Sequence, residues 1–284
     1  IPDLFFNDSN FLTYTQSDFY DKIKFPNYNG TENFGDLLDK VTRSDYIKKL
    51  DQEIPYFANV LEAGCGTGQL SIILSRFGRK VFGIDISKGS LKEGKKFIDR
   101  SDLKNIYLSR MNIFKLCFPN DFFDIIISNG VLHHTLYPHA AVIKLLECLK
   151  PNGYIVIGLY HKYGRITHNL RKILVSKVSK KFKILDSRLN EKISKTKKTA
   201  WFKDQYLNPH ESTHTFNEIL DLFNSNNIEY INSLPFDFDN KKKIFTKNHQ
   251  PSKFKIFLKE ILLCFDKNQM KENGFFVMIG KKKN

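Results

Sequence analysis

From Val60 onward the chain alternates short apolar runs with stretches of helical periodicity, an order that builds a parallel sheet flanked by helices. The runs predict strands at 59–63, 80–85, 106–111, 123–128 and 154–160. Between them the pattern predicts helices over about 68–77, 88–98 and 139–149, the last stopped by Pro151 and Gly153. Upstream, aromatic and Asn/Asp-rich stretches lead into one helix from Phe34 to about Leu50. Downstream, Thr215 and Glu218 form a capping box for a helix reaching about Phe223, and two further strands fall at 229–234 and 275–279. The stretch 254–265 reads as a basic helix with a wide apolar face, suited to core packing or a subunit contact before a membrane surface. The organisation expected is a cap or lid over 1–58, then a catalytic domain over 59–284 with insertions at 161–212 and 236–274.

Composition narrows the class. With 284 residues, 41% of them hydrophobic, the chain can bury a full core. No apolar run approaches the roughly 18 residues that read as a membrane span, and no charged-then-apolar leader pattern stands at the start, so a cytoplasmic location is expected. The four cysteines are far apart, which supports neither a disulfide framework nor a metal or iron–sulfur cluster. A net charge of +15 admits an RNA partner or an anionic membrane surface, yet lysine is spread along the whole chain. The one concentrated stretch runs from Arg171 to Lys198.

The chemistry is carried by the first strand–turn–helix. Strand one runs directly into Gly64-Cys65-Gly66-Thr67-Gly68 and then a helix, so the backbone can approach a ligand at a helix N-terminus. A dinucleotide fold wants G-x-G-x-x-G, whereas Gln69 stands where its third glycine should be. Asp85, at the end of strand two, is placed to accept both hydroxyls of a ribose, a feature that nicotinamide and adenosylmethionine enzymes share.

Four segments in order resolve that ambiguity: Val60-Leu-Glu-Ala-Gly-Cys-Gly-Thr-Gly68, Gly83-Ile-Asp-Ile-Ser87, Phe123-Asp-Ile-Ile-Ile-Ser-Asn-Gly-Val-Leu-His-His134 and Leu149-Lys-Pro-Asn-Gly-Tyr-Ile-Val-Ile157. Over about 60–282 the chain resembles class I S-adenosylmethionine-dependent methyltransferases, most of all the group of ubiquinone and menaquinone methyltransferases. The resemblance implies a Rossmann-like α/β fold, a seven-stranded mostly parallel sheet with helices on both faces and an antiparallel last strand, plus the helical insertions. It implies S-adenosyl-L-methionine as cofactor, with Gly64, Cys65, Gly66 and Gly68 forming the loop against it and Glu62 orienting the loop or the amino group. Asp85 would bind the ribose, Ile86 would pack on adenine, and Asn129 and Gly130 would lie near the methionine part. Where many relatives have Asp after strand three, this chain has Asn112, whose carbonyl can still accept the adenine amino group. Ile1-Pro2-Asp3 also resembles the tail of zinc-ribbon segments that precede some methyltransferases, so Ile1 is expected not to be the natural start, a trimmed terminus being the alternative.

Methyl transfer is an in-line displacement that needs a base only when the acceptor arrives protonated. His133 and His134, after strand four, and His161, after strand five, stand at the sheet edge where acceptor meets cofactor, as base or as loop anchors. Acceptor contacts are expected from the added segments: Tyr14, Phe25 and Tyr28, and, in the insertion, Tyr206, His210, Glu211 and His214. His210-Glu-Ser-Thr-His214 has the H-E-x-x-H form of zinc proteases, but Pro209 and a helix start near Thr215 make it straddle a loop, so no metal is assigned. A small, partly apolar acceptor is the function expected. An RNA-modifying enzyme using the basic stretch, and a noncatalytic cofactor-binding subunit, are the alternatives.

Overall fold

The computed structural model describes residues 14–26, 33–42, 44–175, 186–190, 194–235, 242–262 and 274–284. Three helices open the described chain: α1 (14–23), α2 (Phe34–Thr42) and α3 (Asp45–Glu53). The single helix expected over 34–50 is therefore two. Ser44 adopts an extended conformation and its side chain accepts a hydrogen bond from Ile47 N, which starts a new helix instead of continuing the old one.

An alternating core then follows: β1 (Asn59–Ala63), α4 (Gln69–Leu74), β2 (Lys80–Asp85), α5 (Lys88–Arg100), β3 (Ile106–Arg110), β4 (Phe123–Asn129), α6 (Pro138–Glu147) and β5 (Leu149–Tyr160). Helices α7 (Ile166–Ile173), α8 (Ser187–Asn190) and α9 (Lys195–Leu207) lie in the insertion. Last come α10 (Phe216–Ser225), β6 (Ile228–Leu234), α11 (Lys253–Leu262) and β7 (Phe275–Lys282). The sheet order is β3-β2-β1-β4-β5-β7-β6. Strands β1 to β5 are parallel, and β7 runs antiparallel between β5 and β6.

Near-continuous apolar strands form here because both faces of a parallel sheet are covered. Alternate residues of one strand enter different cores: Leu61 and Ile126 pack with Val142, Leu145 and Phe223 of α6 and α10, while Val60, Ile125 and Ile127 pack with Leu50 of α3 and Leu74 of α4. The Pro151–Gly153 turn is an excursion inside β5, not a stop before it. Pairing with β4 jumps from Phe123↔Leu149 to Ile125↔Tyr154, with Asn152 at φ 63°.

Helix α11 places Ile256 in the core and buries Glu260, while Phe254, Phe257, Leu258 and Leu262 remain exposed, so most of its apolar residues stay outside the core. The last residues expected in that helix, 263–265, lie outside the described residues, as do Ile1 to Asp3, Tyr28 and, from the basic stretch, Lys177, Lys180, Lys181, Lys183 and Lys192. Among the described residues no helix is long and apolar enough to cross a membrane.

Candidate active site

The strand order reverses direction between β1 and β4, and at such a switch point the carboxyl ends of the strands leave a crevice. A cavity of about 590 Å³ opens there, within the range of ligand pockets. The loop after β1 forms its floor. Gly64 has φ 79°, and a Cβ on it would lie 2.3 Å from Val131 Cγ2. Gly66 has φ 54°, and its Cβ would lie 2.1 Å from the carbonyl oxygen of Phe25. Only glycine fits either place, so the loop passes directly beneath the N-terminal segment. Thr67 Oγ1 fastens that contact by donating to the Pro26 carbonyl at 2.6 Å.

Two carboxyl groups face this floor, Glu62 buried and Asp85 partly buried. Glu62 accepts a hydrogen bond from Ser71 Oγ, and burial pushes its pKa up to about 8 despite that bond. Asp85 accepts from Gly66 N at 2.8 Å and from Ser87 N at 2.8 Å, so it ties the glycine loop to the start of α5. Burial raises its pKa as well, against the lowering by those backbone bonds. Cys65 lies between them as a buried thiol, its pKa raised by burial and by both carboxylates. Ile86, Asn112, Asn129 and Gly130 line the same cavity, whereas Gly68 caps α4 just outside the lining. Asn112 uses its side-chain oxygen on Phe114 N at 2.9 Å, and Asn129 donates to Tyr46 Oη at 3.0 Å.

The paired histidines separate. His134 lines the cavity, and its Nδ1 lies 2.9 Å from the His210 carbonyl. A carbonyl only accepts, so Nδ1 carries the proton and Nε2 keeps its lone pair. Burial lowers the pKa of His134, which keeps the ring neutral near pH 7. His133 is fully buried behind it, its ring 4.1 Å from that of Tyr160, and neither ring nitrogen has a hydrogen-bond partner. His161 is also behind the wall, with Nε2 at 3.0 Å from Glu260 and Nδ1 accepting from Gly164 N. Of the three candidate bases, His134 alone lines the cavity.

The expected acceptor contacts are largely relocated. Tyr14 is 74% exposed at the surface. Tyr206 donates to Asp186 at 2.9 Å, Glu211 forms a bidentate pair with the buried Arg165, and His214 bonds Ser212 and Glu218. His210 contributes its carbonyl to His134, not its ring to the cavity. These side chains are consumed by a polar network that mounts the insertion on β5. Phe25 does line the cavity.

The insertion reaches the cavity through other residues. On α9, Trp201 and Gln205 stand one turn apart on the cavity face with Asp204, while Phe202 and Tyr206 stack at 5.0 Å on the neighbouring side, off the cavity. That i, i+4 division of the helix was the available signal. On α1, Gln16 and Tyr20 also face the cavity. Tyr20 Oη donates to Asp204 at 2.7 Å and accepts from Asn208 Nδ2 at 2.9 Å, which joins α1 to the insertion. Burial and the Asp204 charge raise the Tyr20 pKa well above the ordinary value, so it remains a phenol.

Residues 61–157 match a family model described as a methyltransferase domain. Over 103 residues the chain is 32% identical to a ubiquinone biosynthesis O-methyltransferase of Bradyrhizobium diazoefficiens, covering 36% of this chain and 40% of that protein. The chain thus spans well under two thirds of the length of the curated relatives it matches. Among solved structures, PKMT2 of Rickettsia typhi in complex with AdoHcy superposes with a TM-score of 0.55 at 18% identity, over 84% of this chain and 52% of that one. The YcgJ protein of Bacillus subtilis superposes with a TM-score of 0.50 at 16% identity, over 86% and 99%. The two structures share the fold, and the family-model match falls on the segment that carries the glycine loop, Asp85 and His134. Residues 61–157 of this chain therefore carry a methyltransferase domain.

Proposed function

We propose that the chain transfers a methyl group from S-adenosylmethionine to a small, partly apolar acceptor, with His134 taking the acceptor's proton where there is one to remove. The observation that carries this reading is the convergence of Glu62, Asp85 and His134 with aromatic walls on one cavity.

The residues fit the cofactor. Glu62 and Asp85 are two carboxyl groups, one buried and one partly buried, whose pKa values are raised by desolvation, so a cationic or hydroxyl-bearing ligand relieves a penalty already present. Gly64 and Gly66 let the loop run along the cavity floor in close contact with Val131 and the Phe25 carbonyl. Bound here, adenosylmethionine supplies a methyl group on a positively charged sulfur. Glu62 would hold its ammonium, Asp85 its ribose hydroxyls, and Asn112 and Ile86 its adenine. Trp201, Tyr20 and Phe275 give flat apolar walls with a few polar groups, which suits a ring-bearing or otherwise apolar acceptor better than a phosphate chain. His134 is neutral and oriented by the His210 carbonyl, so it can take a proton without first losing one.

The test pairs calorimetric titration of adenosylmethionine with a screen of metabolite extract for mass gains of one methylene. Wild-type protein should bind the cofactor and methylate at least one small acceptor. His134→Ala should bind the cofactor and transfer slowly. Absence of cofactor binding, or full-rate transfer by His134→Ala to a protonated acceptor, would overturn the proposal.

A further inference from the structure

On the far side of the His133–His134 turn, three metal-ligating side chains from three separate elements meet. His139 is the second residue of α6, His214 ends the link between α9 and α10, and Glu218 is in the first turn of α10. Glu218 Oε1 lies 2.6 Å from His139 Nε2 and 2.8 Å from His214 Nδ1, and the three donor atoms all lie within 4.8 Å of one another. We infer that this cluster is a binding site for a zinc-like divalent cation, separate from the methyl-transfer cavity.

Two histidine nitrogens and one carboxylate oxygen with a fourth place open to solvent are a donor set that zinc accepts. Donor atoms around tetrahedral zinc stand about 3.3 Å apart, so the 2.6 and 2.8 Å contacts to Glu218 need to open by about 0.5–0.7 Å, with the two histidine nitrogens settling to the same spacing. Opening is easy on the side of His139, whose side chain is 45% exposed, and this is also the route of entry.

The other two ligands are held by bonds that do not involve a metal. Glu218 Oε2 accepts from Thr215 N in the capping box, which leaves Oε1 facing the two histidines. The His214 backbone is pinned to the end of β5 through Tyr160 O at 2.8 Å and Lys162 N at 2.9 Å. Its Nε2 lies 2.8 Å from Ser212 Oγ, which in turn donates to the His133 carbonyl at 3.2 Å. In the tautomer that donates Nε2–H to Ser212, Nδ1 presents a lone pair to the cluster, the arrangement that supporting bonds commonly impose on metal-bound imidazole.

The H-E-x-x-H form of 210–214 is thus misleading about its partners. Residues 208–213 are not helical, His210 and Glu211 are engaged elsewhere, and His214 meets His139 and Glu218 from outside that pattern. A cation here would clamp α6 and α10 to the link whose Ser212 and His210 hold the backbone of His133 and the ring of His134.

Tag-free protein stripped with a chelator is titrated with zinc against a chromophoric competitor, and separately loaded with cobalt. The expected result is one equivalent per chain, with affinity weakened by about tenfold or more in His139→Ala and in Glu218→Gln. Glutamine preserves the capping box, so Glu218→Gln keeps its fold, which circular dichroism verifies. Zinc should also raise the melting temperature of wild type and not of either variant. Absence of stoichiometric binding, undiminished affinity in both variants, or a sulfur-to-cobalt charge-transfer band, which would place the ion on a cysteine, would each overturn the site. None of these readouts uses the methyl-transfer reaction, so they stand or fall independently of it.

Discussion

At the scale of single residues, Glu62 makes the sharpest statement about pH. Its pKa is raised to about 8 by burial, so in the ligand-free protein it is largely protonated at neutral pH. Binding an ammonium group favours the ionised carboxylate, and below pH 8 that costs the release of one proton, which weakens affinity by about tenfold per unit of pH. Above pH 8 a free α-amino group, with a pKa of about 8, loses its own charge and binding must take up a proton. Cofactor affinity should therefore peak near pH 8 and fall on both sides. In Glu62→Gln the acid limb should vanish, as calorimetry in buffers of different ionisation enthalpy will show. The same shift acts on folding with the opposite sign to an ordinary ion-paired carboxylate: Glu62 detracts from stability as pH rises from the unfolded value to about 8. Asp85 behaves differently because its two oxygens already hold Gly66 N and Ser87 N. Asp85→Asn keeps one acceptor and loses the other, and we expect it to weaken adenosylmethionine binding by about 1.5–3 kcal/mol in the same titration. Both residues were legible because a strand-end position and a glycine turn are local patterns. Trp201, Asp204 and Tyr20 were not, since their place in the cavity depends on how α9 and α1 roll against distant strands.

At the scale of elements, the N-terminal helix α1 is tied to the strand ends beside the glycine loop. Helix α1 meets the sheet through Ser17 Oγ, which donates to Ile86 O at 3.1 Å, and through Asp21, whose Oδ1 accepts from Ser87 Oγ at 2.8 Å and from Gly89 N at 2.7 Å. Asp21 thus acts as a second cap on α5, next to Ser87 itself, and places a negative charge at that helix N-terminus. Asp21→Ala should lower stability by about 1–2 kcal/mol in urea and should speed cofactor dissociation in a stopped-flow chase, because α1 loses its hold beside Asp85. An unchanged dissociation rate would separate α1 from the cofactor site. The strands were legible to within a few residues because buried parallel strands are apolar throughout. The break near Ser44 and the excursion at Pro151–Gly153 were not, because a capping side chain and a register jump leave the hydrophobic pattern almost unaltered.

At the scale of the whole molecule, what matters is how the sheet and the insertion after β5 come to share one cavity, and Arg165 is the joint. Its side chain is fully buried, bonded through Nε and Nη2 to Glu211 at 2.9 and 2.6 Å and through Nη1 to Gln205 at 2.9 Å. The guanidinium lies 3.5 Å from the ring centre of Tyr160, the last residue of β5, and Gln205 also donates to Tyr160 Oη at 2.7 Å. One cation therefore fixes two cavity walls, Tyr160 and Gln205, and the residue next to His210, whose carbonyl orients His134. Arg165→Ala strands a buried carboxylate and should cost about 3–5 kcal/mol. Lysine cannot reproduce the fork, so Arg165→Lys should also destabilise, by less. A double variant, Arg165→Met with Glu211→Met, removes both charges together and should regain most of the lost melting temperature. It should nevertheless bind adenosylmethionine as wild type does and transfer methyl groups more slowly, since Glu62 and Asp85 are untouched while the walls around His134 have lost their common anchor. Wild-type turnover in that double variant would show that the network serves stability alone. Turnover that stays low after stability returns would show that the insertion sets the acceptor side of the site through a single buried arginine.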